Sequence, residues 1–240
     1  MTRGRRPIRL WGVGTSRTMR PHWVLNELNL EYEVEEILPR STAMESAEFQ
    51  AISPRRKVPM LEHGDLVVGE SGAIVFHLVD HYRDRVSLAP GSGSDERAIF
   101  DDVCLFALME LDAPLYVIRR HGGLPDVYGE SPVAVDSARE YFLRQSGEIA
   151  RRLSDGRTYV LGEEFSAADI LVSTCLTWAD FIGIEVADSL VDYQSRVTSR
   201  PAFALAKKRN LPAAAMAAMR DQASSGVSSP RGGGSQGRET

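Results

Sequence analysis

The chain has 240 residues, 43% of them apolar and 25% charged, which is enough for one or two ordinary domains. Its net charge of −5 gives no electrostatic reason to expect a nucleic-acid partner. No apolar run approaches the roughly 18 residues of a membrane span, and the basic start Arg3, Arg5, Arg6 is not followed by one, so neither membrane anchor nor signal peptide is expected.

Ile8 to Val13 reads as a first strand, and Gly12 and Gly14 announce a loop through Arg17. From Thr18 to Asn29 a helix is expected, with Met19, Trp23, Val24, Leu28 and Leu30 on one face and Pro21 in the first turn. Tyr32 to Leu38, Pro59 to Glu62 and Leu66 to Val68 read as three more strands, the last two joined by the turn His63-Gly64-Asp65. Ser71 to Tyr82 is a helix with Ile74, Val75, Leu78 and Val79 inward. The order β-α-β, a connecting segment, then β-β-α describes a small α/β unit with a mixed sheet.

Pro90-Gly91-Ser92-Gly93-Ser94 reads as a linker. The chain beyond it reads as helix: Asp95 to about His121, Pro132 to Leu153, Ser166 to Ile182, Asp188 to Ser199, and a short one opened by Pro201. Ser166 and Asp169 form a capping box, a folding device rather than a chemical one. Residues 221–240 are half glycine and serine with no apolar pattern and are expected to be disordered. The expected division is an α/β domain over 1–84, a linker over 85–94, a helical domain over 95–212, and the tail. No internal repeat is visible. Cys104 and Cys175 lie inside apolar helical patterns and read as buried reduced thiols, in keeping with a cytoplasmic location. His22 and His121 are isolated, and no His/Cys/Asp spacing suggests a metal.

The stretch Lys57-Val58-Pro59-Met60-Leu61 is the most informative. A proline in an extended segment cannot donate to a sheet ladder, so this backbone serves another purpose. Nine residues after it, Glu70 and Ser71 stand where a helix begins. That is the layout of a site that grips a peptide by its backbone and an anion by a helix N-terminus.

Five motifs occur in an order that resembles the cytosolic glutathione transferases. They are Ser53-Pro54 with Lys57 to Leu61, Glu70-Ser71-Gly72-Ala73-Ile74, Leu25 to Glu33, Phe165-Ser166-Ala167-Ala168-Asp169-Ile170, and Arg200-Pro201. The likeness covers about residues 7–210. It implies a thioredoxin-like N-terminal domain joined to an all-helical one, a homodimer, and glutathione as co-substrate. Val58-Pro59 is then a cis peptide whose Val58 N–H and C=O pair with the cysteinyl backbone of glutathione. Ser71 and the amides behind it take the γ-glutamyl carboxylate, Glu70 its ammonium, and Lys57, with Arg55 and Arg56 nearby, the glycine carboxylate.

The group that activates the sulfur falls in the loop after strand one, on Thr15, with Ser16 as its neighbour. The resemblance is to bacterial-type members with threonine or serine, not tyrosine or cysteine, at that position. Some relatives pair such a threonine with an asparagine two residues on, where this chain has Arg17. No cysteine lies in the loop, which argues against mixed-disulfide chemistry. Met109, Tyr116 and Arg119 are candidates to line a pocket for a small electrophile between the domains. The resemblance thus points to a glutathione S-transferase. The alternatives are another glutathione-dependent enzyme on the same fold, an isomerase or dehalogenase, or a non-enzymatic binding or regulatory protein.

Overall fold

The computed structural model describes residues 6–213 and 215–217. The N-terminal half is β1 (Ile8–Trp11), α1 (Ser16–Glu27), β2 (Glu33–Glu35), a 3₁₀ turn (Thr42–Glu45), α2 (Ala47–Ile52), β3 (Met60–His63), β4 (Leu66–Gly69) and α3 (Ser71–His81). The sheet order is β2-β1-β3-β4, with β1 and β2 parallel and the other pairs antiparallel. This is the expected mixed sheet of a thioredoxin-like domain.

The second half is helical: α4 (Asp95–Phe106), a π-helical stretch (Ala107–Asp112), α5 (Ala113–His121), α6 (Pro125–Tyr128), α7 (Pro132–Leu153), α8 (Ala167–Phe181), α9 (Asp188–Thr198) and α10 (Pro201–Asn210). Among the described residues no helix is long and apolar enough to cross a membrane. The expected tail, 221–240, lies outside the described residues.

Three differences from the expected elements have physical causes. β2 is short because it is an edge strand paired only with β1, and the Ile37 N–H turns back to the Glu35 carbonyl at 2.8 Å. β3 begins at Met60 because Pro59 has no N–H to give. The single helix expected from Asp95 to His121 is interrupted by the π-helical turn: Pro114 cannot bond back to Glu110, and the wider turn accommodates that loss. The connecting segment before β3 holds α2, capped by the Ser46 hydroxyl, which accepts from the Phe49 N–H.

One hydrophobic core runs through both halves. Trp23, Leu25, Ile74 and Leu78 from the first half join Leu111, Phe142, Ala168 and Leu171 from the second, all of them fully buried. Each of the leucine, isoleucine and phenylalanine side chains among them contributes about 1.5–3 kcal/mol by its burial. A smaller cluster of Trp11, Met44, Phe49 and Met60 lies under the connecting segment. α1 is the pivot, packing on α3, α8 and α10. Its Glu27 forms a two-pronged ion pair with Arg200 at 2.7 Å for each contact, and the Arg200 guanidinium stacks 3.8 Å from the Phe165 ring centre. The Arg200-Pro201 and Phe165 motifs therefore meet, although 35 residues separate them.

Candidate active site

The sheet register brings the site together. Trp11 pairs with Met60, and Met60 with Gly69. The residues next to that rung are Gly12 to Thr15 after β1, Val58-Pro59 before β3, and Glu70-Ser71 after β4. Three segments far apart in sequence thus converge at one end of the sheet.

The Val58–Pro59 bond is cis, as the resemblance implies. Val58 precedes the strand, and among the described residues neither its N–H nor its C=O has a hydrogen-bond partner. Gly12 permits the close approach of β1 to this segment. Its φ is +115°, and a Cβ there would lie 2.6 Å from that of Val58.

Thr15 is the N-cap of α1. Its hydroxyl accepts from the Thr18 N–H at 3.0 Å, and the Thr18 hydroxyl accepts from the Thr15 N–H at 3.0 Å. α10 pins this loop. The Asn210 carbonyl accepts from the Gly14 N–H at 2.7 Å, its side-chain amide donates to the Thr15 carbonyl at 3.0 Å, and its Oδ1 accepts from the Thr18 hydroxyl at 2.7 Å. The Thr15 hydroxyl proton can turn to Thr18 Oγ1, 3.0 Å away, or outward. Ser16 is the first helical residue, half-buried, and its hydroxyl has no hydrogen-bond partner among the described residues.

Glu70 sits at φ +63°, a conformation that L residues adopt at a cost of about 1–3 kcal/mol, and this bends the chain from β4 into α3. Its carboxylate meets Arg55 at 3.0 Å on the surface. Ser71 is buried at the first position of α3. The Ile74 N–H bonds back to the Glu70 carbonyl, so the three amides of Ser71, Gly72 and Ala73 precede the helix ladder and point out of its N-terminus. Gly72 lets the C-terminal half close on this end: a Cβ would lie 2.6 Å from Leu108. Lys57 is exposed beside the cis proline, whereas Arg56 turns away to Glu45 at 3.0 Å.

Behind Ser71 lies a group that local sequence patterns do not reveal. Arg20 of α1 is 1% exposed. Its guanidinium donates to the Ser71 hydroxyl at 3.1 Å, to Asp112 at 2.7 Å, to Thr174 at 2.9 Å and to the Cys175 sulfur at 3.3 Å. Burial pushes the Asp112 carboxyl up, but Arg20 and Arg17 more than offset it and hold it below the ordinary value. Burial also pushes the Cys175 thiol up to about 12, so it stays protonated. Both cysteines are buried and free, as expected.

Arg17 bonds Asp112 as well, through Nε at 2.9 Å, and lies 4.3 Å over the Tyr116 ring. Trp178 lies 5.8 Å from the same guanidinium. Tyr116 therefore faces the start of α1. Met109 is exposed on the π-helical turn, and Arg119 donates to the Gly123 carbonyl at 2.8 Å on the last turn of α5, so these two are not brought to Arg17 in the way Tyr116 is. At the other end of the domain, His63, His77 and His81 place one nitrogen each within 4.8 Å of one another. Sequence reasoning missed this group; the spacing of His77 and His81, four apart on one helix face, is its visible signal.

Two family models match, the glutathione S-transferase N-terminal domain over residues 6–80 and the C-terminal domain over residues 132–203. Together they cover more than half of the chain, which belongs to the glutathione S-transferase family. A glutathione S-transferase-like protein of Aspergillus terreus, gedE, is 37% identical over 78 residues, 32% of this chain and 34% of the relative, so the match spans about a third of that protein. A glutathione transferase from Methylococcus capsulatus has a solved structure with TM-score 0.73 and 26% identity, covering 85% of this chain and all of that one. A family member from Pseudomonas fluorescens, solved with two glutathione bound, shares the fold at TM-score 0.74 and 19% identity, over 86% of this chain and 95% of its own.

Proposed function

We propose that this protein is a glutathione transferase that holds glutathione as a thiolate in the N-terminal domain and lets it attack a small electrophile beside α5. The observation that carries the reading is the shared sheet rung, which sets an unpaired Val58 backbone between two helix N-termini.

Each part of the ligand meets a matching group. The Val58 N–H and C=O pair with the cysteinyl backbone as an added strand would. The Ser71 hydroxyl and the α3 amides take the γ-glutamyl carboxylate, with buried Arg20 orienting the hydroxyl from behind. Glu70 takes the ammonium, and Lys57 the glycine carboxylate. The sulfur then lies toward Thr15 and Ser16 at the positive end of α1. A charge-assisted hydrogen bond contributes about 1.5–3 kcal/mol, which lowers a thiol pKa by about one to two units. The thiol gives its proton to water, the thiolate bonds to the electrophile, and the protein forms no covalent bond. Catalysis is thiolate stabilisation plus proximity.

Thr15 is the first choice for the activating hydroxyl, because a hydroxyl already accepting from an N–H is a better donor to sulfur. Ser16 is the second. The electrophile would rest against Tyr116 and Trp178, and the working form is a cytoplasmic homodimer. Retention of the chain on immobilised glutathione, with release by free glutathione, tests the binding reading. A chain that passes straight through leaves neither a transferase nor an isomerase or dehalogenase standing. Retention without turnover of any aromatic halide or epoxide electrophile points to the binding-protein alternative.

A further inference from the structure

We propose that His63, His77 and His81 form a binding site for one divalent transition-metal ion, Zn²⁺ being the fitting example, at the pole of the N-terminal domain opposite the glutathione cradle. Three of the chain's five histidines meet there.

The placement comes from the fold. His77 and His81 are four apart on α3, so their rings lie on one face, with centroids 5.5 Å apart. His63 ends β3, and its ring stands 5.2 Å from His77 and 4.6 Å from His81. His63 is fully buried, His77 half-buried and His81 exposed, so the group is anchored in the domain and open to solvent on one side. An entering ion has a path, and a fourth position remains for water.

The hydrogen bonds hold the rings in place. His63 Nδ1 lies 2.9 Å from His77 Nε2, and His63 Nε2 lies 2.9 Å from the Tyr82 hydroxyl. Two tautomers of His63 satisfy both contacts, and in the one suited to a metal Nε2–H donates to the Tyr82 hydroxyl while Nδ1 keeps its lone pair and accepts from His77 Nε2–H. An outer partner that fixes the ring and its tautomer is what metal-ligating histidines need. Two nitrogens bound to tetrahedral zinc stand about 3.3 Å apart, so the His63–His77 pair must open by only a few tenths of an ångström. His77 then carries its proton on Nδ1, so binding to neutral imidazoles releases no proton.

Imidazole donors suit zinc, copper and nickel rather than magnesium or calcium. The local field is mixed. His81 is the last residue of α3, where the helix end favours a cation, and Asp80 acts in the same direction. Arg6 acts against it.

The test uses the full chain without a polyhistidine tag, stripped with a chelator and titrated calorimetrically with Zn²⁺ alone in the absence of glutathione. Co²⁺ serves as a visible-absorption probe of the ligand set. One equivalent of Zn²⁺ should bind. His81→Ala should weaken it by more than the about tenfold expected of Tyr82→Phe, and His121→Ala should leave it unchanged. Because His81 is exposed, its variant tests the site even where His77→Ala or His63→Ala fails to fold. Absence of binding, or equal binding by the wild type and His81→Ala, overturns the proposal. Glutathione retention is read separately, so either reading can fail without the other.

Discussion

The two ends of helix α3 present opposite chemistry on one rigid rod. At its N-terminus Ser71 and three outward amides make an end that favours negative charge, backed by a buried Arg20–Asp112 pair that reaches into the helical half. At its C-terminus His77 and His81 join His63 with no contribution from the second domain to the three ligand positions. The first end depends on both halves being folded together; the second belongs to the N-terminal domain alone. The anion end should therefore be fragile to distant substitutions and the histidine end tolerant of them.

The largest effect should come from Arg20. Arg20→Met leaves Asp112 to Arg17 alone and removes the donor from Ser71, and loss of one partner of a buried pair costs about 3–5 kcal/mol. Urea unfolding should show that loss, and glutathione retention should fall with it. The double variant Arg20→Met/Asp112→Leu should recover much of the stability but not the retention. Recovery of both would mean that Arg20 does not orient Ser71.

Gly12→Ala comes next. A methyl group there meets Val58 at 2.6 Å and forces an L residue to φ +115°, a cost of about 1–3 kcal/mol. Glutathione affinity should drop at least about tenfold while the zinc titration stays unchanged, which separates the two ends directly. The third effect concerns pH. Burial, helped by Arg209, pulls His22 down to about 4 from its ordinary 6.5. The unfolded chain therefore takes up more protons than the folded one between those values, and stability, complete above pH 6.5, should fall as the pH drops toward 4. His22→Gln should lessen that slope, the rest belonging to groups such as His63, which burial also lowers to about 4; an unchanged slope would assign the loss to those groups alone. The smallest effect is at the tolerant end: without metal, His81→Ala should change stability by less than about 0.5 kcal/mol, since the residue is exposed.

How much of the fold and site is legible in the sequence depends on the range of each contact. The strands and long helices can be read because apolar periodicity is local: α7, Pro132–Leu153, has the bounds its pattern indicates. Glu70-Ser71 and Val58-Pro59 can be read because proline and a helix start punctuate the chain. The Arg20–Asp112 pair cannot, because 92 residues separate its members and an arginine on a helix reads as exposed. The same holds for Asn210, 192 residues from the Thr18 hydroxyl it holds. The π-helical turn is hidden because Pro114 alone does not say how a helix will absorb its missing bond. The histidine group is half legible: the spacing of His77 and His81 is in view, but only the β3 register brings His63 to them.

A fold that holds glutathione sulfur as a thiolate at the start of α1 must lower the pKa of the bound thiol. The direct measurement is the ultraviolet thiolate absorbance of bound glutathione against pH, in the wild type and in Thr15→Ala and Ser16→Ala. The wild type should titrate about one to two units below free glutathione, and Thr15→Ala should return most of that shift. An apparent thiol pKa equal to that of free glutathione in the wild type would mean that the start of α1 does not stabilise the thiolate.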